Sequence, residues 1–255
     1  MPQKEVNFEF VQSSYGAGGG LIGAIVDLSV NAAMSSSAET RAKKLRPEIQ
    51  DFDFAARYWQ AITNPVHAAQ WLNLQSCSLS ASNVPPMKKT MLANGSVINI
   101  GSSYAITPDC RVFKVLTGMD IYVPGKTRPA ATLMLQYHSA EIGDVEGDKA
   151  LVLWTENRGE KYRRFATEGI EESAKLVRYG LEVMGAVPSG TPRLAKIKAK
   201  LVHGRAGFGI PIGKAGLKGL VLEETEDRVI FQVEKGGLFS FARKDVDVEF
   251  ITLKK

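Results

Sequence analysis

The stretch Glu160–Met184, EKYRRFATEGIEESAKLVRYGLEVM, decides how the chain folds. Its apolar residues Tyr162, Ala166, Ile170, Ala174, Val177, Leu181 and Met184 recur at spacings of three and four. Side chains at that period share one face of an α-helix. The intervening face holds Lys161, Arg164, Glu168, Glu171, Lys175 and Arg178. A helix of this kind needs an apolar surface to lie on, and Gly185 is placed to end it.

The residues before the helix supply a sheet. Strand chemistry runs through Leu74–Ala81, Ser96–Ser103, Arg111–Val123 and Ala131–His138. Turn signals at Val84-Pro85-Pro86, Asn94-Gly95, Pro108-Asp109 and Pro124-Gly125 separate them, Asn94-Gly95 being the strongest hairpin signal. Glu5–Gln12 alternates polar and apolar as a short strand. A glycine-rich turn, Gly16–Gly20, follows, and a helical pattern sets in from Leu21. Residues 38–46 and Phe52–Ile62 read as further helices, with Pro47 marking a boundary. Residues 1–187 therefore read as an α/β body.

After a linker over 186–193 the pattern changes. Lys196–Val202, Leu220–Glu224, Arg228–Glu234, Leu238–Ala242 and Val246–Thr252 are short strands. Their density over residues 194–255 predicts a small SH3-like β-barrel. The expected fold class is α+β: helices packed on a small mixed or antiparallel sheet, plus this C-terminal module.

Net charge is +5, and all of the excess lies at the end of the chain. Residues 191–255 carry 13 Lys+Arg against 8 Asp+Glu, whereas residues 1–190 carry 19 of each. A basic module suits a polyanion. Here the cations are spaced out among acids, as on a solvated face, so nucleic acid is not the expected partner. Residues 17–35 are apolar but contain Asp27 and Asn31 and run into serines, which excludes a membrane span. Residues 1–15 contain no apolar core of a signal peptide.

Cys77 and Cys110 lie outside any CxxC and away from histidine, so no metal site is expected. In an oxidising compartment the two could form a disulfide; otherwise they are unrelated thiols. Gly18-x-Gly20-x-x-Gly23 follows a strand and opens a helix, as a dinucleotide loop does. The helical stretch to residue 62 leaves no second strand with a ribose-binding acid, so no cofactor is expected. The same glycines are spaced for close approach of two helices, which would suit a homo-oligomer contact. The cluster Gly204–Gly216 resembles a phosphate loop but has Ala215 where the magnesium-binding hydroxyl belongs. It reads as a long loop with Arg205, Phe208 and Lys214 as contact candidates. His67, His138 and His203 are not at ligand spacing. His138 and Glu141 would form an acid–base pair only if the strand ends between them.

Three stretches together resemble exported proteins and lipoproteins of Gram-negative bacteria that have no assigned activity. They are Gly18–Asp27, Tyr137–Gly143, and Trp154–Tyr162 leading into Glu168–Ser173. The resemblance spans roughly residues 16–185. It implies an envelope location, periplasmic or outer-membrane-associated, with a helix packed on a small sheet. It transfers no functional residue, and the basic C-terminal module lies outside it. This chain has no lipobox and no N-terminal cysteine, so membrane association would require an anchor in the native precursor. The reading that follows is a non-enzymatic scaffold or recognition protein whose partner is an envelope protein or cell-wall polymer. A hydrolase acting near His138 and Glu141 and a nucleic-acid binder using the C-terminal module are the alternatives.

Overall fold

The computed structural model of the chain describes residues 7–8, 37, 39–72, 76–77, 96–107, 109–124, 126, 128–184, 193–199, 217–233 and 237–251. The fold is mixed α+β. Helix α1 covers 39–49 and α2 covers Phe54–Ala68. Asp53 opens α2 by accepting the Ala56 amide at 2.9 Å. Ala42, Leu45 and Ile49 of α1, and Phe54, Tyr58, Ile62 and Val66 of α2, form the buried stripes.

The expected boundary at Pro47 is corrected: α1 continues through it to residue 49, and α2 likewise contains Pro65. A proline in a helix interior costs about 3 kcal/mol. Pro47 lies in the last turn of α1, between Leu45 and Ile49, whose burial holds that turn against the core.

Helix α3 spans Asp148–Met184 and contains the expected helix as its second arm. The first arm, 148–155, has no counterpart in the sequence reading. The arms meet at a left-handed corner where Asn157, Arg158 and Gly159 have φ of 51°, 58° and 69°. That conformation costs a non-glycine residue about 1–2 kcal/mol. Arg163 braces the corner, donating from Nε to the Arg158 carbonyl at 3.1 Å and from Nη2 to the Glu48 carbonyl at 2.8 Å.

The strands are β1 (Asn7–Phe8), β2 (Val97–Ile106), β3 (Phe113–Tyr122), β4 (Ala131–His138), β5 (Arg193–Ala199), β6 (Leu217–Glu224), β7 (Arg228–Val233), β8 (Gly237–Ala242) and β9 (Val246–Phe250). They hydrogen-bond in the order β1-β2-β3-β4-β8-β7-β6-β5-β9. The β1–β2 and β4–β8 pairs are parallel and the rest antiparallel. The expected closed barrel does not form among the described residues. The outer edge of β8 pairs with β4, with Leu135 opposite Leu238 and Tyr137 opposite Ser240, so the C-terminal strands extend the body's sheet. The Asn94-Gly95 hairpin and the glycine-rich turn lie outside the described residues.

Strand alternation gives β7 and β8 two employments. Ile230 and Leu238 belong to the core under α3, with Val115, Leu135, Ala166 and Val177. Val229, Phe231, Phe239 and Phe241 belong to a second core with Leu217, Val221 and Val246. Gly169 lets α3 approach the sheet, since a Cβ there would sit 3.0 Å from both Tyr137 Cε1 and Val115 Cγ2.

The corner of α3 gives a test. A Cβ on Gly159 would fall 2.8 Å from Ile49 Cγ2, besides the left-handed φ. Gly159→Ala should therefore lower unfolding free energy by about 2 kcal/mol or more, while Arg158→Gly should raise it by about 1 kcal/mol. Urea denaturation of both variants measures the contrast; equal effects would discount the strain.

Candidate functional site

The densest polar chemistry sits where the C-terminal strands meet α3. Arg228 begins β7 on the face under α3, and its side chain is 9% exposed. It donates from Nε and Nη2 to Ser240 Oγ (3.1 and 2.8 Å), from Nη2 to the His138 carbonyl (2.9 Å), and from Nη1 to Glu168 Oε1 (3.1 Å). Ser240 donates to Glu172 Oε2 at 2.7 Å, and Lys175 Nζ donates to Glu172 Oε1 at 2.6 Å. The guanidinium carbon lies 4.6 Å from the centre of the Tyr137 ring. A buried ion is tolerated only with this degree of pairing. Tyr179 adds a further link by donating to Glu223 Oε2 at 2.6 Å. A β-bulge between Val221 and Glu223 turns Glu223 away from the face that buries Val221.

Sequence reasoning placed Glu168 on a solvated helix face and did not single out Arg228, Glu172 or Ser240. The signal available was local: Glu172 falls inside the helix, and Arg228 sits at the mouth of a turn between two apolar strands.

The structure separates His138, Ser139 and Glu141 chemically. His138 is buried, its Nε2 lies 3.3 Å from Gln136 Oε1, and its ring is tilted 5.1 Å from that of Phe241. Burial, aided by Lys114 and Arg228, pushes its pKa well below the usual range, so the ring is neutral. The Ser139 hydroxyl accepts the Phe113 amide and donates to the Ala140 carbonyl. Glu141 pairs with Arg111. No described hydrogen bond or ion pair joins His138 to Glu141. Both cysteines are free thiols, Cys77 exposed and Cys110 buried. Burial raises the Cys110 thiol to about 11, which removes its nucleophilicity at neutral pH. Arg205, Phe208, Lys214 and His203 lie outside the described residues. Among the described residues, no cluster of His, Cys, Asp or Glu could hold a metal ion. Nor is any helix there long and apolar enough to cross a membrane.

Glu168 also faces outward, into an open cleft of about 650 Å³ between α2 and the second arm of α3. Phe52 and Arg57 form one wall; Glu160, Arg163, Arg164, Thr167 and Glu171 continue the other. Arg163 is committed to Asp51 at 2.6 Å, an interaction that holds the Asp51 carboxyl below its ordinary pKa. Arg57 lies over Phe52 and Arg164 over Phe165, each 4.6 Å from the ring centre. The cleft thus shares one residue, Glu168, with the buried network behind it.

Two outcomes follow. Arg228→Met removes the guanidinium 3.8 Å from the buried Glu172 carboxylate, which keeps Lys175 as its cation, and should cost about 2–3 kcal/mol, whereas Arg228→Met with Glu172→Leu should recover part of it. Chemical denaturation of both variants measures the difference; a double variant no better than the single would mean the charges do not act as a pair. The second concerns pH. His138 stays neutral when folded but takes a proton near pH 6.5 when unfolded, so the unfolded chain binds the extra proton. Stability should decline as pH falls below about 6.5, by at most about 1.4 kcal/mol per pH unit for this one group. Denaturation midpoints across that range should show a shallower decline in His138→Phe.

Comparisons with protein-family models, curated proteins and solved structures find no significant match to this chain.

Proposed function

We propose that the chain is a non-catalytic recognition protein of the cell envelope, a rigid scaffold that presents its surface to cell-wall polymer. One observation carries the reading: the polar groups best placed for chemistry are consumed in holding the fold. Arg228, Glu172 and Ser240 hold the C-terminal strands to α3. His138 is neutral and buried, Ser139 serves the backbone, and Glu141 is paired with Arg111. What remains open to solvent is a binding surface, the cleft whose wall includes Glu168.

The C-terminal strands are read here as an SH3-like module. Their order, β8-β7-β6-β5-β9, supports this, as does the 3-10 turn Arg243–Asp245 that precedes the last strand. The segment 200–216 between β5 and β6 contains Arg205, Phe208 and Lys214, the contact candidates of that module.

Fractionation of cells producing the chain from its native precursor, with co-sedimentation of the purified chain on cell-wall polymer, tests the reading. Envelope location with saturable sedimentation is expected. A strictly cytosolic chain that the polymer does not retain would overturn it. Release of soluble fragments from the polymer would favour the hydrolytic alternative instead. Steeply salt-dependent binding of DNA or RNA would favour the nucleic-acid alternative.

A further inference from the structure

The two ends of the nine-stranded sheet are guarded differently. At one end β9 lies beside β5 and carries the exposed acids Asp247 and Glu249. Charge on an edge strand discourages pairing with another chain. At the other end β1 pairs with β2 at Ala105 and Ile106. Among the described residues, no strand lies on the outer side of Val97–Ser103, a stretch of about 24 Å. This edge has none of the usual guards. The sequence of β2, VINIGSSYAI, contains no charge and no proline. It runs without a bulge through its ten successive pairs with β3.

Helix α2 adds a second uncharged surface along the same edge. It runs over β2: the Phe54 ring lies 4.0 Å from that of Tyr104, and Tyr58 bonds Thr117, the residue opposite Ser102. Arg57 marks the side of α2 that faces α3. Trp59 is two residues further on, about 200° round the helix. Ala55, Trp59 and Thr63 therefore form the opposite side, toward the outer edge of β2, and all three are half-buried.

We propose that the outer edge of β2 pairs with the same edge of a second copy, antiparallel about a two-fold axis, so that one sheet runs through both molecules. The occupant follows from the charge. Every register of this pairing sets uncharged residue against uncharged residue, because β2 holds no other kind. An acidic or basic partner strand would find no counter-charge there. The axis also brings the Trp59 sides of the two α2 helices toward each other. A strand ladder alone is narrow for a stable dimer, and apolar and aromatic groups beside it supply the rest of such an interface. The pairing is independent of what the chain recognises.

Sedimentation velocity of the full chain, with hydrogen exchange at the outward amides of β2, tests this. A concentration-dependent dimer with slow exchange over Val97–Ser103 is expected. Gly101→Lys adds a charge to the edge without a clash, since a Cβ there meets no atom within 4 Å. It should weaken association about tenfold or more and speed the outward exchange, while Asp247→Lys at the opposite end of the sheet leaves both unchanged. Thr63→Lys repeats the test from α2, should Gly101→Lys lose cooperative melting. A chain that stays monomeric at high micromolar concentration overturns the proposal. So does slow outward exchange in the monomer, which would assign the edge to another segment of the chain. So does a dimer that Asp247→Lys breaks, or one that Gly101→Lys and Thr63→Lys leave intact.

Discussion

A guanidinium removed from water must be matched group by group, and in this protein that requirement ties two halves of the chain together. Arg228 lies 60 residues from Glu168 and 12 from Ser240, and its remaining donor reaches a main-chain carbonyl at the end of β4. No one of these acceptors would stabilise the ion alone. Taken together they fix the helix, the body's sheet and the C-terminal hairpin relative to one another. The apolar contacts of Ile230 and Leu238 supply bulk attraction at the same boundary but little directional preference. The ion network supplies direction, because in the observed register the guanidinium reaches both Ser240 of β8 and the His138 carbonyl of β4.

Much of this architecture was legible in the sequence where local periodicity governs. The strand Ala131–His138 is found as expected, and the five C-terminal strands fall within a few residues of their alternating patterns. The helix from Glu160 onward follows its apolar stripe. The failures are equally physical. Residues 148–155 hold too few turns to show a period, and their continuation is broken by three left-handed residues, of which Asn157 and Gly159 are types that favour that conformation and Arg158 is not. Prolines mark helix ends on average, yet Pro47 and Pro65 sit in helices held by tertiary burial.

The candidate site was less legible still. Its central pairings join residues far apart in the chain, and a lone arginine after a turn carries no signature of its destination. The residues that did attract notice, His138 and Glu141, lie three positions apart in sequence but are turned to different partners. Nearness along a strand end predicts little about which face a side chain will occupy.

Strands that belong to two cores have a mechanical consequence. Phe231 and Ile230 are neighbours in the chain, yet each is anchored in a different hydrophobic cluster. Melting either cluster strips contacts from the other, so the molecule should behave as one cooperative unit rather than as two modules on a string. A force applied at the C-terminal strands would be felt at Glu168, on the rim of a surface that those strands do not line.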